Sequence, residues 1–166
     1  MMSTSLRGLV TAAFLVCAAQ ASAHDYQLGP LSIDRPWARP TLGQVPNSAG
    51  YMTIRNDGAE ADRLLEAESP VAAEVEVHES RVENGTVQMR PLEGGLELPP
   101  GQTVTLEPGG YHLMITGLKR PLRPGDHVPV DLLFEHGGTL QIEFLVQPLG
   151  AGQPMPGMDH GAKPAG

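Results

Sequence analysis

This chain of 166 residues is poor in cysteine, aromatic and basic side chains, and it has no apolar run long enough to span a membrane. Its one cysteine, Cys17, falls inside an N-terminal segment with the marks of an export signal: Arg7, an apolar stretch from Leu9 to Ala19, and small residues at Ala21 and Ala23. Cleavage after Ala23 leaves no cysteine, which excludes disulfides, thiolate metal sites and thiol nucleophiles together. Val16 precedes Cys17 where a bacterial lipoprotein signal normally places a small residue, so no lipid is expected. The apolar stretch is about a dozen residues, too short for the roughly 30 Å of hydrocarbon in a bilayer, and no membrane insertion is expected. Without Arg7 the chain has ten basic residues against 19 acidic ones, a formal charge of about −9. That balance argues against nucleic acid, whose binding rests on neutralising phosphates, and favours attraction of cations. No Ser/His/Asp order, Gly-rich phosphate loop or HExxH pattern appears.

What is present reads as strands. Short runs rich in Val, Ile, Leu, Tyr and Thr cover residues 50–56, 73–80, 86–90, 102–107, 111–116, 127–136 and 139–147, many alternating with period two, with Gly, Pro, Asn and Asp between them. Asn84-Gly85, Gly137-Gly138 and Pro108-Gly109-Gly110 are turn signals at their ends. The expectation is an all-β chain with a single Greek-key β-sandwich domain. Its organisation reads as a signal peptide over 1–23, one domain over 24–147, and a flexible Gly/Pro/Ala tail over 148–166. The single tryptophan, Trp37, is expected to plug the core, and Met52 to be buried. His127 and His136, at strand ends without ligand partners, are expected on the surface.

Four side chains carry the chemistry. His78 ends one run, Met89 follows after ten intervening residues beyond the Asn84-Gly85 turn, and His112 and Met114 lie in a third run. Alternate residues of a strand share a face, so His112 and Met114 point one way and Leu113 the other. A hairpin about Asn84-Gly85 returns Met89 to the neighbourhood of His78. Two imidazoles and two thioethers then converge, a donor set that selects copper(I), since thioether sulfur is soft and Mg²⁺, Ca²⁺ and Mn²⁺ prefer oxygen. A blue-copper electron-transfer site needs a cysteine, which the mature chain lacks; a carrier of copper(I) is the remaining role.

On these residues the chain resembles the periplasmic copper chaperones called PCu(A)C. Their signature is a His, a Met about ten residues on, and His-x-Met about twenty residues further. The flanking phrases PWARPT, AGYMTIRN, VHES, MRPLEGGLELPPGQTV and PGGYHLMITGLKRPL resemble that family too. The resemblance implies a cupredoxin-like sandwich that binds copper(I) through His78, Met89, His112 and Met114. It further implies a periplasmic protein that delivers copper toward cytochrome c oxidase assembly, its partner an oxidase subunit or assembly factor. One spacing is slightly longer than the usual signature, and Glu79 stands where some members have another Met, leaving open whether it modifies affinity.

Two more places offer donors. Met155, Met158 and His160 lie close together in the tail and form a possible second site, with copper(II) as the ion His160 favours. Cleavage after Ala23 puts His24 at the new N-terminus, where amine and imidazole chelate copper(II) together. That arrangement resembles the histidine brace of copper monooxygenases, the enzyme alternative; an aromatic content of 4% counts against the flat aromatic surfaces those enzymes use. A third alternative is an adhesion or assembly module with no metal, which sandwich folds often serve.

Overall fold

A computed structural model describes residues 26–43 and 45–150. Residues 1–25, Gln44 and 151–166 are outside it, and with them the expected signal peptide, His24, Met155, Met158 and His160.

Eleven strands and no helix occur among the described residues. They are β1 (Tyr26–Leu28), β2 (Leu31–Ala38), β3 (Ser48–Asn56), β4 (Asp62–Glu68), β5 (Glu74–Glu83), β6 (Thr86–Pro91), β7 (Leu96–Leu98), β8 (Thr103–Leu106), β9 (Tyr111–Thr116), β10 (His127–Phe134) and β11 (Gly138–Val146). Following the pairings from β5 through β9, β3, β2, β11, β10 and β4 leads back to β5, where Ala67 opposes Val75. The sheet therefore closes on itself as a flattened barrel, the all-β, single-domain sandwich expected. Most neighbours are antiparallel; β11 with β2 and β8 with β9 are parallel. The pairing that matters for the site is that of β5 with β9, strands far apart in sequence.

Alternation explains the core. On β10, Val128, Val130, Leu132 and Phe134 are buried; on β11, Ile142, Phe144 and Val146 are. From β9 and β5, Leu113, Ile115, Val75 and Val77 join them, together with Leu31, Ile33 and Ile54. Met52 is buried as expected. Two buried polar side chains tie loops to this core. Asn56 donates from Nδ2 to the carbonyls of Glu60 and Leu98 and accepts from the Gly58 N–H. Asp62 accepts from the N–H groups of Arg63, His136 and Gly137, holding the β10–β11 turn.

Strands β1, β2, β4 and β7 were not among the expected runs. β2 contains Pro36 and a bulge between Asp34 and Trp37, with Arg35 at φ 50°, which interrupts its period. The same bulge corrects the reading of Trp37. Ahead of it Leu31 and Ile33 face inward; beyond it Pro36 and Ala38 do. Trp37 is thereby turned to the outer face, half-buried, against Tyr51 with ring centroids 4.5 Å apart. β4, DRLLEAE, hides its strand character behind charged residues, and β7 has only three residues.

A candidate metal centre on the outer face of β5, β6 and β9

The outer face of three neighbouring strands collects the four expected donors. Asn84 and Gly85 take left-handed conformations (φ 53° and 77°), the two-residue turn that a tight hairpin requires. This fixes the β5–β6 register: Met89 lies opposite Ser80, and His78 opposite Pro91. Met89 is thus two residues along from His78, at the next position on the same face. On the other side of β5, His78 lies directly opposite His112 and Glu76 opposite Met114. Because cross-strand partners share a face, His78, Met89, His112 and Met114 all face outward while Leu113 and Val77 face the core.

The two rings are close enough to share an ion. A nitrogen-bound ion about 2.0–2.1 Å away stands roughly 3.2 Å from the ring centroid, so two rings gripping one ion have centroids at most about 6.4 Å apart. Those of His78 and His112 are 5.8 Å apart. Each ring also keeps one nitrogen bare. His112 donates from Nδ1 to the Gly110 carbonyl at 3.2 Å, which leaves Nε2 free. That carbonyl also accepts the Ser80 N–H, so it is held by both strands. His78 donates from Nε2 to the Glu76 carboxylate at 3.1 Å, which leaves Nδ1 free. Burial pushes the pKa of His112 down; the hydrogen bond to the Gly110 carbonyl opposes this, and the neighbouring His78 and Arg39 add to the lowering.

Met89, His112 and Met114 line one cavity of about 340 Å³ with Arg39, Leu42, Val45, Tyr51 and Pro108. His78 is not in that lining; it stands beside His112 at the cavity's edge. Exposure grades across the set: His112 is 4% exposed, His78 and Met114 are half-buried, and Met89, on the projecting hairpin, is 59% exposed. Neither sulfur is sealed in the core. Arg39 is the one charged side chain among the described lining residues, and its guanidinium lies 5.5 Å from the Tyr51 ring centroid. Tyr51 in turn stands 6.4 Å from His112, so Trp37, Tyr51, His112 and His78 form a row of rings across the sheet.

Among the described residues no three His, Cys, Asp or Glu side chains gather as a metal cage. An ion held here therefore needs the methionines, whose chemistry is that of a soft cation. Glu79 is on the other face of β5 from His78 and pairs with Arg81 at 2.9 Å. The acidic neighbour of the donors is Glu76, two residues before His78 and so on its face, a position that strand alternation could have pointed to. Tyr51 and Arg39 come from β3 and the loop after β2, and no local signal links them to the motif. His127 is exposed beside Glu143 at 3.5 Å, and His136 is exposed in the turn after β10; both lie on the surface as expected.

A family model described as "Putative lipoprotein LpqE-like" matches residues 31–146. The protein "Putative lipoprotein Lxx21020" of Leifsonia xyli subsp. xyli (strain CTCB07) is 29% identical over 150 residues, 86% of this chain and 89% of that one. Among solved structures, the copper-bound PCuAC domain from PmoF2 is similar with a TM-score of 0.64 at 26% identity, covering 75% of this chain and 98% of that domain. The solution structure of CuI-DR1885 from Deinococcus radiodurans has a TM-score of 0.54 at 27% identity, covering 78% and 85%. The all-β fold is shared with these two solved structures.

Proposed function

The chain belongs to the LpqE-like family, and from that premise we propose that it is a copper carrier, holding copper(I) through His78, Met89, His112 and Met114. One observation carries the reading: two imidazoles, each with a bare nitrogen, and two thioethers share one outer face of the closed sheet. The likeness to a copper-bound PCuAC domain and to CuI-DR1885 supports copper as the cargo.

The graded exposure gives the carrier its mechanism. Thioethers bind copper(I) without having to lose a proton, and the most exposed of them, Met89, is the first that an acceptor's ligand displaces. His112, buried and hydrogen-bonded to the backbone, is the last to release. Exposed Leu42 and Val45 line the same cavity, and exposed Val82 and Val87 pair further along the β5–β6 hairpin on the donors' face; together they give an acceptor apolar surface to rest on. The role is transfer and not turnover, in line with the resemblance to chaperones that serve cytochrome c oxidase assembly; an oxidase subunit or assembly factor is the acceptor.

The carrier works in the periplasm after cleavage behind Ala23. The lipoprotein description of its family makes Cys17 the rival processing site, and the mass of the mature N-terminus decides between them. The tail donors Met155, Met158 and His160 add a weaker copper(II) site; truncation at Pro148 that leaves stoichiometry and oxidation-state preference unchanged removes that part of the reading.

The central test is competition for copper(I) by the mature protein, with sulfur and nitrogen neighbours counted by X-ray absorption. His112→Ala and Met114→Ala each weaken binding severely while the fold persists. Unchanged affinity in both variants refutes the assignment.

A further inference from the structure

The two histidines are held by different means. For His112 the acceptor is a backbone carbonyl, that of Gly110 immediately before β9. For His78 it is a side chain: the ring's Nε2 lies 3.1 Å from a carboxylate oxygen of Glu76, and this is the only hydrogen bond the ring makes among the described residues. A carboxylate accepts and does not donate, so the proton of a neutral His78 is on Nε2 and the bare nitrogen is Nδ1.

We propose that Glu76 is the positioning residue of this centre, fixing the ring of His78 so that Nδ1 is the nitrogen it offers to copper(I). The inference rests on the copper-carrier reading above and deepens it. Three features support it. Glu76 and His78 alternate on one strand and so share the outer face, and Glu76 lies directly opposite Met114, within the donor row. Its neighbour Val75 makes the pairing that closes the barrel, so the backbone that aims the carboxylate is anchored. The carboxylate engages Nε2 and leaves Nδ1 for the ion, and among the described residues no three His, Asp or Glu side chains gather as a cage. A hydrogen-bonded carboxylate fixes the tautomer and orientation of a ligating imidazole and raises its basicity; losing such a partner typically weakens metal binding about 10–100-fold. Glu79 cannot serve in this way, being on the opposite face and engaged with Arg81.

The test separates a hydrogen-bonding role from one of charge or structure. Nitrogen-15 spectra of the apo protein, taken in mildly alkaline buffer, should show His78 as the Nε2–H tautomer. Glu76→Ala should convert it to a mixture, leave the tautomer of His112 unchanged, and weaken copper(I) binding by about 10–100-fold. Glu76→Gln keeps an acceptor oxygen without the charge and should restore both the tautomer and most of the affinity. The proposal is overturned by Nδ1–H on His78 in the wild type, by an alanine variant with unchanged tautomer and affinity, or by a glutamine variant as weak as alanine. Should Glu76→Ala fail to fold, the wild-type and glutamine spectra still decide. A wild type that binds no copper(I) overturns the carrier reading instead, and the tautomer, read without metal, tells the two failures apart.

Discussion

His78 on β5 and His112 on β9 are direct cross-strand partners with ring centroids 5.8 Å apart, and the two rings leave different nitrogens bare. The pair is the hinge of the site. Met114 continues it along β9, and Met89 continues it across β5 onto the β6 hairpin, so the donors run in an arc from a buried ring to an exposed thioether. Under the proposed copper-carrier reading, a site graded in this way would hold an ion from one side and surrender it to a partner from the other.

Adjacent residues of β9 should separate stability from binding. Leu113 is wholly buried, and Leu113→Ala should cost about 2–5 kcal/mol of unfolding free energy. Met114, next to it on the outer face, should cost about 1 kcal/mol or less as Met114→Ala, yet weaken copper(I) binding about tenfold or more. Urea denaturation and copper(I) competition on the two variants check this. A Met114→Ala protein that loses stability but not affinity would make that side chain a packing residue.

The apo protein should lose stability on mild acidification through His112. Burial lowers its pKa in the folded state, while the unfolded ring titrates near the ordinary value of about 6.5. Between the two values the unfolded chain binds the proton and the folded one does not, so acid favours unfolding. The contribution is fully present above about 6.5 and is lost as pH falls through the depressed folded value. Replacing the ring by His112→Asn should flatten this part of the pH dependence of unfolding; an equal slope in both proteins would contradict the assignment.

Asn56 should prove the costliest polar residue to truncate. Its buried amide donates to two carbonyls and accepts one N–H, joining the end of β3 to the following loop and to β7. Asn56→Ala strands those groups and should destabilise the fold by roughly 2–4 kcal/mol, measured by denaturant unfolding. A loss within about 0.5 kcal/mol, the range of ordinary surface changes, would show that water replaces the amide.

Much of the architecture was legible where one face of a strand is buried and the other is wet. β10 and β11 alternate cleanly because each packs one face on the core, and Asn84-Gly85 marked its hairpin because few other residues adopt two successive left-handed conformations. β2 was illegible because its bulge and Pro36 break the period, and Trp37 went to the wrong face for that reason. β4 was hidden by its charged residues. In the site, the spacing of His112 and Met114 was readable from alternation alone, and so in principle was Glu76 beside His78. Tyr51 and Arg39 were not, because their approach to the donors depends on strands brought together only in three dimensions.

The amino-acid order by itself determined the kind of donors, since residues 24–166 contain no cysteine and so offer only imidazole, thioether and oxygen. It also determined which near neighbours share a face, because the two-residue period of a strand is a local property of the backbone. Only the folded barrel decided that His78 opposes His112, that Glu76 opposes Met114, and that exposure rises from His112 to Met89. Those relations depend on which distant strands pair and in what register, and pairing is settled by burial of a common core, a constraint that no short stretch of chain contains.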